Sequence, residues 1–361
     1  MNNIKKNILR LILKGLCLWA FTFKPRAWNL RLGIWGLMLG TLNSLQAQDP
    51  QFSQFYAAPL YLCPSYAGAS DGSRVTINFR DQWPKIPGAF ITYAFSADQY
   101  IRKLKSGIGF LFLRDQAGIG KLSTTNVGWQ YSYNLRLNNR WYARPGIHFL
   151  YTQRSVDYTR NTFVDQISIN GNAPTTVENI ANTKSGFLGA SSSLVFYSRK
   201  YWFGSSLDHL IKSNQSFMGV QSNLPAKYTA FGGLKVDINK RLGRFNEESA
   251  TILVLYQRQR KFNQLTFSAY WLKSPLIIGI GYRGIPLYKD PKTGYNNIDA
   301  AIFLLGYRTL NFAIGYSYDF TVSRLLGSTG GAHEVSIIYE FWQGPKLKTN
   351  RKQNVVSCPK F

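Results

Sequence analysis

The residues whose types could do acid–base chemistry are few, and histidine is the scarcest of them: the chain has His148, His209 and His333. A hydrolase embedded in a membrane would pair a histidine with a serine, and a third polar group would orient the histidine. His148 falls on the polar face of its segment, where it could meet Ser132 or Asn134 of a neighbouring strand. The chain contains no G-x-S-x-G motif. A polar hydrogen-bond network is therefore favoured over catalysis.

Two acid–histidine neighbours, Asp208-His209 and His333-Glu334, resemble metal or acid–base pairs. Adjacent side chains of a strand point to opposite faces, so neither pair can chelate one ion. The cysteines and histidines also lack the spacing of a zinc site. The sequence therefore predicts a protein that is not an enzyme, with no catalytic residue, no metal site and no cofactor.

The elements that position these residues are predicted to be strands, and the clearest example is 309–320. Every second residue there is large and apolar or aromatic. The residues between them are small or polar, as in a strand with one apolar and one polar face. With 309–320 included, we predict about fourteen strands, although 106–114 and 275–284 are apolar on both faces apart from glycine. They lie at about 74–82, 89–98, 106–114, 122–137, 140–154, 184–198, 200–210, 227–240, 249–261, 263–273, 275–284, 297–307, 309–320 and 332–343.

An even number of alternating strands with terminal aromatics is typical of an outer-membrane barrel. We therefore predict an all-β fold, a transmembrane barrel of about 14 antiparallel strands at 74–343, in the bacterial outer membrane and in contact with its lipid. The connections after odd-numbered strands are mostly long and those after even-numbered strands mostly tight, which matches outer loops and periplasmic turns. A soluble β-sandwich is the alternative, but it would not explain the aromatic residues at the strand ends.

Composition excludes other classes. The mean hydropathy of −0.18 is too low for a bundle of membrane helices, each of which needs about 20 consecutive apolar residues. The formal net charge of +26 over 361 residues suits an anionic surface or an acidic partner. The cations are spread over loops and strand ends, so nucleic acid is not expected as a partner.

The first 47 residues differ from the rest. They carry seven cations and no acid, followed by an apolar run at 32–45 and a small residue, Ala47. This order is typical of a secretory signal peptide, with an uncleaved membrane anchor as the alternative. We expect residues 48–73 to form an N-terminal periplasmic or plug-like segment and residues 344–361 to form a basic periplasmic tail.

Two cysteines, Cys63 and Cys358, remain after the leader. They flank the first and last strands, which are neighbours in a closed barrel, so a disulfide is geometrically plausible and two unpaired thiols are the alternative. Trp83 suits either a membrane-interface aromatic or a partner anchor. The tail offers candidates for docking an acidic partner: Lys346, Lys348, Arg351 and Lys352.

Several short motifs, in order along the chain, resemble the PorP/SprF family of Bacteroidetes outer-membrane proteins. They begin at 48–56 and 62–68, continue through 80–84, 88–93, 96–98, 107–109 and 114–118, and end at 209–210, 214–217, 333–336 and 358–361. The family usually has asparagine where this chain has Cys63, and often proline where it has Ser213.

The resemblance implies a non-enzymatic component of the type IX secretion system. Such a protein would bind or anchor a large secreted adhesin of the gliding type, or link the outer membrane to periplasmic machinery. An outer-membrane pore or substrate-specific channel is the alternative function, because it would share the fold. The sequence alone does not distinguish an open lumen from a plugged one.

Overall fold

The computed structural model describes residues 49–70, 72–168, 171–172, 183–217, 221–239, 247–260, 262–289, 296–322 and 327–341. Fourteen long antiparallel strands dominate it: β1 (Ser73–Gln82), β2 (Phe90–Ile101), β3 (Ser106–Ala117), β4 (Leu122–Tyr133), β5 (Tyr142–Ser155), β6 (Lys184–Tyr197), β7 (Tyr201–Asp208), β8 (Lys227–Asn239), β9 (Glu248–Gln259), β10 (Phe262–Lys273), β11 (Leu276–Lys289), β12 (Asn296–Arg308), β13 (Phe312–Thr321) and β14 (Ala332–Phe341).

Each strand pairs with its sequence neighbours, and the sheet closes where β1 pairs with β14. In that closing register, Ser73 lies opposite Phe341 and Gln82 lies opposite Ala332. Closure leaves no strand with unpaired backbone groups at an edge, which a barrel needs when lipid surrounds it. We call the end of the barrel that carries the turns after odd-numbered strands the odd-turn rim. The other end, which carries the turns after even-numbered strands, is the even-turn rim.

The predicted barrel is confirmed, and each predicted strand has its counterpart. The largest differences are at β11, which was expected to end at residue 284 and runs to Lys289, and at β4, which was expected to run to residue 137 and ends at Tyr133. A two-residue strand, Leu135–Arg136, continues the pairing with β5 beyond Asn134. The chain is irregular here because the β4–β5 hairpin extends past the adjoining strands.

The predicted alternation of faces is also confirmed. Along β13, Phe312, Ile314 and Tyr316 are exposed on the outside of the barrel, whereas Ser317 and Asp319 are buried inside it. Large apolar side chains cover the outer surface in the same way on the other strands, including Trp129, Leu188, Ile280 and Leu305. An apolar outer surface is favourable in contact with lipid. The large apolar side chains therefore face outward and the polar ones inward, the opposite of a soluble barrel.

Among the described residues, no helix is long and apolar enough to cross a membrane. The described helices are six single turns, of which three lie before β1, at Phe55–Ala57, Pro59–Leu62 and Pro64–Tyr66, and three lie in connections, at Arg102–Leu104, Tyr158–Arg160 and Val164–Gln166. Prolines at 59 and 64 start the second and third of these turns, where a missing N–H costs nothing. We call residues 50–70, which contain the three turns before β1, the lumenal segment.

Candidate functional site

The lumenal segment lies inside the barrel and fills it. Nearly all of its side chains from Phe52 to Ser70 are buried, and its hydrogen bonds go to inward-facing residues of the wall. Ser53 and Gln54 bind the wall near the odd-turn rim, and Gly68 binds it near the even-turn rim. The segment therefore crosses the lumen lengthwise and then joins β1 at the even-turn rim.

At the odd-turn end, the segment is held by four buried charged residues that we call the Glu334 cluster: Arg80, Arg283, Asp319 and Glu334. The carboxylate of Glu334 accepts hydrogen bonds from the backbone N–H groups of Ser53, at 2.7 Å, and Gln54, at 2.9 Å. These bonds join parts of the chain that are 280 residues apart. Glu334 is completely buried, so its charge depends on these partners.

Two arginines balance the two acids of this cluster. Arg80 reaches Glu334 at 3.0 Å and Asp319 at 2.8 Å, and Arg283 also contacts Asp319. The hydroxyl of Ser53 lies at the centre, where it accepts from Arg80 at 2.7 Å and donates to Asp319 at 2.6 Å. A buried charge without such partners would cost several kcal/mol. The network thus contains residues of both the wall and the segment. Neither of the two alone supplies the hydrogen-bond and ionic partners that these buried charges have.

The side chain of Gln54 adds direct contacts with the wall. Its amide nitrogen donates to the hydroxyl of Ser317 at 3.1 Å and to the backbone carbonyl of Glu334 at 3.2 Å. Its amide oxygen accepts from Ser336 at 2.6 Å. Both serines are inward-facing residues of adjoining strands, so the segment's position is specified by side chains as well as by charge.

At the even-turn end, a second group, which we call the Asp98 cluster, comprises Arg74, Asp98 and Arg144. Asp98 accepts from the backbone N–H of Gly68 at 2.8 Å and from Arg74 at 2.9 Å. Arg144 donates to the carbonyls of Ala67 at 2.9 Å and Gly68 at 2.8 Å. Charge-assisted bonds of this type are stronger than those between neutral groups. The chain is therefore fixed directly after its last helical turn, Pro64–Tyr66.

Two wall glycines let the segment approach the barrel closely. A Cβ atom on Gly107 would lie 2.0 Å from the carbonyl oxygen of Ala67, and one on Gly146 would lie 2.4 Å from the nitrogen of Ser65. Any larger residue would collide with backbone at either position. Glycine inside a strand often marks such an approach, so these residues shape the wall around the segment.

Between the two clusters the segment packs through aromatic residues. Tyr56 meets Tyr270 edge to face with ring centroids 4.6 Å apart, and Tyr66 lies 5.6 Å from Phe231. Cys63 is completely buried in this region, with its side chain beside Ser65 and Ser193. Burial raises the pKa of the Cys63 thiol to about 11, so the thiol stays protonated at neutral pH.

Among the candidate sites from the sequence, Cys358, Lys346, Lys348, Arg351 and Lys352 lie outside the described residues. The Cys63–Cys358 disulfide and the docking role of the tail stay predictions. Because Cys63 faces the interior, a disulfide would require residue 358 to enter the lumen.

Trp83 lies at the odd-turn rim, where its backbone N–H donates to the backbone carbonyl of Gly331 at 2.8 Å. Its ring meets Phe90 edge to face with centroids 5.5 Å apart. This placement fits an interface aromatic and a partner anchor equally, so both interpretations of Trp83 stay open.

The histidines are separated as the alternation of faces predicts. His148 is buried and lies opposite Gln130 and Ser191 in the register, whereas Ser132 lies opposite Gly146. The register therefore does not bring His148 opposite Ser132 or Asn134, which the sequence offered as possible partners. His333 faces outward and its Nδ1 lies 2.8 Å from the hydroxyl of Tyr316. In the described part of the chain, no three His, Cys, Asp or Glu residues could hold a metal ion.

The sequence reasoning did not identify the two charged clusters. Their signal was present, since each of these residues is a charged side chain at an inward-facing position within a strand. Three of the motifs behind the family resemblance also meet at the Glu334 cluster: those at 48–56, 80–84 and 333–336. Two others, at 62–68 and 96–98, meet at Asp98.

Several solved structures are similar to this chain at low identity. A KdgM porin is 10% identical over 74% of this chain and 99% of that chain, with a TM-score of 0.34. The toluene transporter TodX of P. putida is 9% identical over 77% of this chain and 92% of that chain, with a TM-score of 0.41. BamA from Haemophilus ducreyi, lacking POTRA domains 1–3, is 7% identical over 75% and 71%, with a TM-score of 0.37. No curated protein matches the chain.

The closed barrel with its apolar exterior is the architecture by which β-strands cross an outer membrane, and the chain is an outer-membrane protein. The family model described as type IX secretion system membrane protein PorP/SprF matches residues 44–339. Because this match covers most of the chain, the protein belongs to the PorP/SprF family and is an outer-membrane component of the type IX secretion system.

Proposed function

We propose that this protein acts without catalysis, by binding or anchoring a secreted surface protein such as a gliding adhesin, or by linking the outer membrane to periplasmic secretion machinery. The observation that carries the proposal is the filled lumen. The lumenal segment occupies the barrel and is held by buried ionic contacts near both rims. A barrel filled in this way is suited to presenting its rims and loops to other proteins.

The competing function is a pore or substrate-specific channel. It requires the lumenal segment to leave the barrel or to shift enough to open a path. Reconstitution in planar bilayers separates the two functions. We expect the wild-type protein to be silent, and steady ion conductance without any partner would favour the channel.

The orientation and the terminal segments belong to the same proposal. The long connections at 156–183 and 209–226 lie on the odd-turn rim, and the short ones at 198–200, 274–275 and 309–311 lie on the even-turn rim. We place the odd-turn rim outside the cell, residues 1–47 as a cleaved signal peptide and residues 344–361 in the periplasm. Tags at Asn170 and after Lys360 test this on intact cells, since labelling of the second tag but not the first would contradict the orientation.

For the partner contact, the basic tail is the candidate on the periplasmic side. Its cations would speed encounter with an acidic surface and make binding sensitive to salt. Truncation after Gly344 leaves every strand of the barrel in place, so assembly should continue. Co-purification of secretion components and cargo with full-length and truncated protein, at low and high salt, tests the role of the tail. If the truncated protein keeps its partners and secretion continues, the outer loops become the better candidates.

A further inference from the structure

One arc of the even-turn rim has an unusual charge. Three successive turns on this rim, at 102–105, 134–141 and 198–200, contain seven cations and no acid: Arg102, Lys103, Lys105, Arg136, Arg140, Arg199 and Lys200. Arg102 is half-buried and the other six are exposed. We call this group the basic arc.

The three turns form one continuous surface. The backbone N–H of Asn134 donates to the carbonyl of Lys105 at 2.8 Å, which joins the first turn to the second. Tyr142, directly after the second turn, lies opposite Tyr197, directly before the third, and their rings stack with centroids 5.3 Å apart. The cations are therefore held on a fixed scaffold.

On the opposite part of the same rim, several of the described charges have partners. Lys235 contacts Glu247 at 2.6 Å, and Arg308 lies 3.8 Å from the same carboxylate. The indole N–H of Trp271 donates to Glu248 at 3.2 Å. In contrast, no ion pair within 4.0 Å joins Lys103, Lys105 or Arg140 to an acid of the described residues. Within the described chain, these three cations of the basic arc therefore lack the acidic partner that Lys235 and Arg308 have.

Apolar residues lie among the cations of the basic arc. Leu135 and Leu137 continue the outward-facing alternation of β4 past the end of the strand and are 42% and 56% exposed. Leu104, between two lysines, is 62% exposed. Trp141 and Phe203 pack with ring centroids 5.9 Å apart at the same level. Cations beside an outward-facing apolar and aromatic surface match the boundary between acyl chains and headgroups.

We propose that the basic arc is a binding site for phospholipids with anionic headgroups, whose phosphates contact the cations while their acyl chains pack on the exposed leucines. An acidic protein would use the charges but would leave Leu135 and Leu137 unexplained, since these side chains face the bilayer. The site would hold one side of the barrel to the membrane surface. With the proposed orientation, the lipid would come from the periplasmic leaflet.

The experiment is native mass spectrometry of the full-length protein in detergent, with phosphatidylglycerol or phosphatidylcholine added at equal concentration. The test variant is Lys103→Gln/Lys105→Gln/Arg140→Gln/Lys200→Gln. The matched control neutralises four exposed lysines of the odd-turn rim, as Lys85→Gln/Lys121→Gln/Lys184→Gln/Lys212→Gln. Removing four cations near a membrane surface should lower the apparent affinity for phosphatidylglycerol by roughly 10-fold or more.

We expect the wild type and the control variant to retain phosphatidylglycerol in preference to phosphatidylcholine, and the test variant to lose that preference. Equal retention of the two lipids by the wild type would overturn the proposal, as would an equal loss in both variants. A parallel titration with polyglutamate covers the other class of partner. Binding of polyglutamate that depends on the arc, without any lipid preference, would assign the surface to an acidic polypeptide instead. None of these readouts depends on secretion, so their failure would leave the proposed function standing.

Discussion

The two clusters that hold the lumenal segment differ in which groups the wall supplies. At the Glu334 cluster, a wall carboxylate accepts from the backbone N–H groups of Ser53 and Gln54. At the Asp98 cluster, the main wall contact is Arg144, which donates to the carbonyls of Ala67 and Gly68. The first cluster also pairs two acids with two arginines, whereas in the second Asp98 pairs with Arg74 and Arg144 binds backbone carbonyls. The backbone of the segment is thus bound through its donors at one end and mainly through its acceptors at the other.

This difference predicts that the two clusters respond unequally to mutation. Removing Glu334 would leave two backbone donors unsatisfied and leave Arg80 with one carboxylate fewer, all in a completely buried site. Removing Arg144 is less severe, because Ser132 also donates to the carbonyl of Ala67, at 2.7 Å. The Glu334 cluster should therefore contribute more to holding the segment. The predictions below test that ranking, starting from the largest expected effect.

Glu334→Ala should cost about 3–5 kcal/mol of stability, because it breaks a buried ion pair and leaves its partner charged. The free energy of unfolding in detergent micelles measures this loss. Release of the segment would also give the variant ion conductance in planar bilayers, where the wild type is expected to be silent.

The control for this variant is the double replacement Arg80→Met/Glu334→Met. It removes the unpaired charge as well as the carboxylate, so it should be less destabilised than the sum of the two single replacements. Strict additivity of the two single effects would contradict the ionic coupling across the closing strands β1 and β14.

Gly107→Ala should cost about 1–3 kcal/mol, because the new methyl group collides with the backbone of the segment near the Asp98 cluster. Gly232→Ala is the matched control, since its Cβ would lie 3.5 Å from the nearest atom and meet only ordinary contacts. Limited proteolysis should cut the Gly107→Ala variant near residues 64–70 faster than it cuts the control. Equal protection of the two variants would mean that the close approach does not position the segment.

Arg144→Met should cost about 1–3 kcal/mol, the range for leaving a buried carbonyl without its donor. The remaining contacts of Asp98 with Gly68 and Arg74 should keep the segment in the lumen. We therefore expect a loss of stability without conductance, in contrast to Glu334→Ala. If Arg144→Met conducts as well as Glu334→Ala does, the ranking of the two clusters is wrong.

The barrel itself could be predicted from the sequence because its signal is local. Alternation of residue types over each strand reports which side chains face lipid, and Ile314 and Ser317 lie on the faces that the pattern predicts. The clusters could not be predicted, because they depend on the register of the closing pair β1–β14 and on the path of a segment inside the lumen. Arg80 lies opposite Glu334 only after the barrel closes.

The same limit applies to contact partners. Ser317 lies on the polar inward face that the pattern predicts, and its contact with Gln54 of the lumenal segment could be found only from the structure. His148 also lies on its predicted face, but the register places it opposite Gln130 and not opposite Ser132 or Asn134, which the sequence offered as possible partners. Alternation predicts the face of a residue and carries no information about register.

The reactivity of Cys63 is the smallest expected effect, and it reports on the same comparison from a residue that belongs to neither cluster. Cys63 lies between the two clusters, and burial raises the pKa of its thiol from 9.0 to about 11. Only the thiolate attacks alkylating reagents, so burial and protonation together should prevent labelling of the folded protein between pH 6 and about 9. In a Cys358→Ser background, mass spectrometry of iodoacetamide adducts measures Cys63 alone among the two cysteines after the leader. Adding Glu334→Ala should expose the thiol and restore labelling at pH 8 to 9, whereas adding Arg144→Met should restore little. Rapid labelling of the Cys358→Ser protein at neutral pH, without a further replacement, would show that the segment leaves the lumen readily. In that case neither cluster holds the segment in place, and the proposed ranking of the two clusters would be wrong.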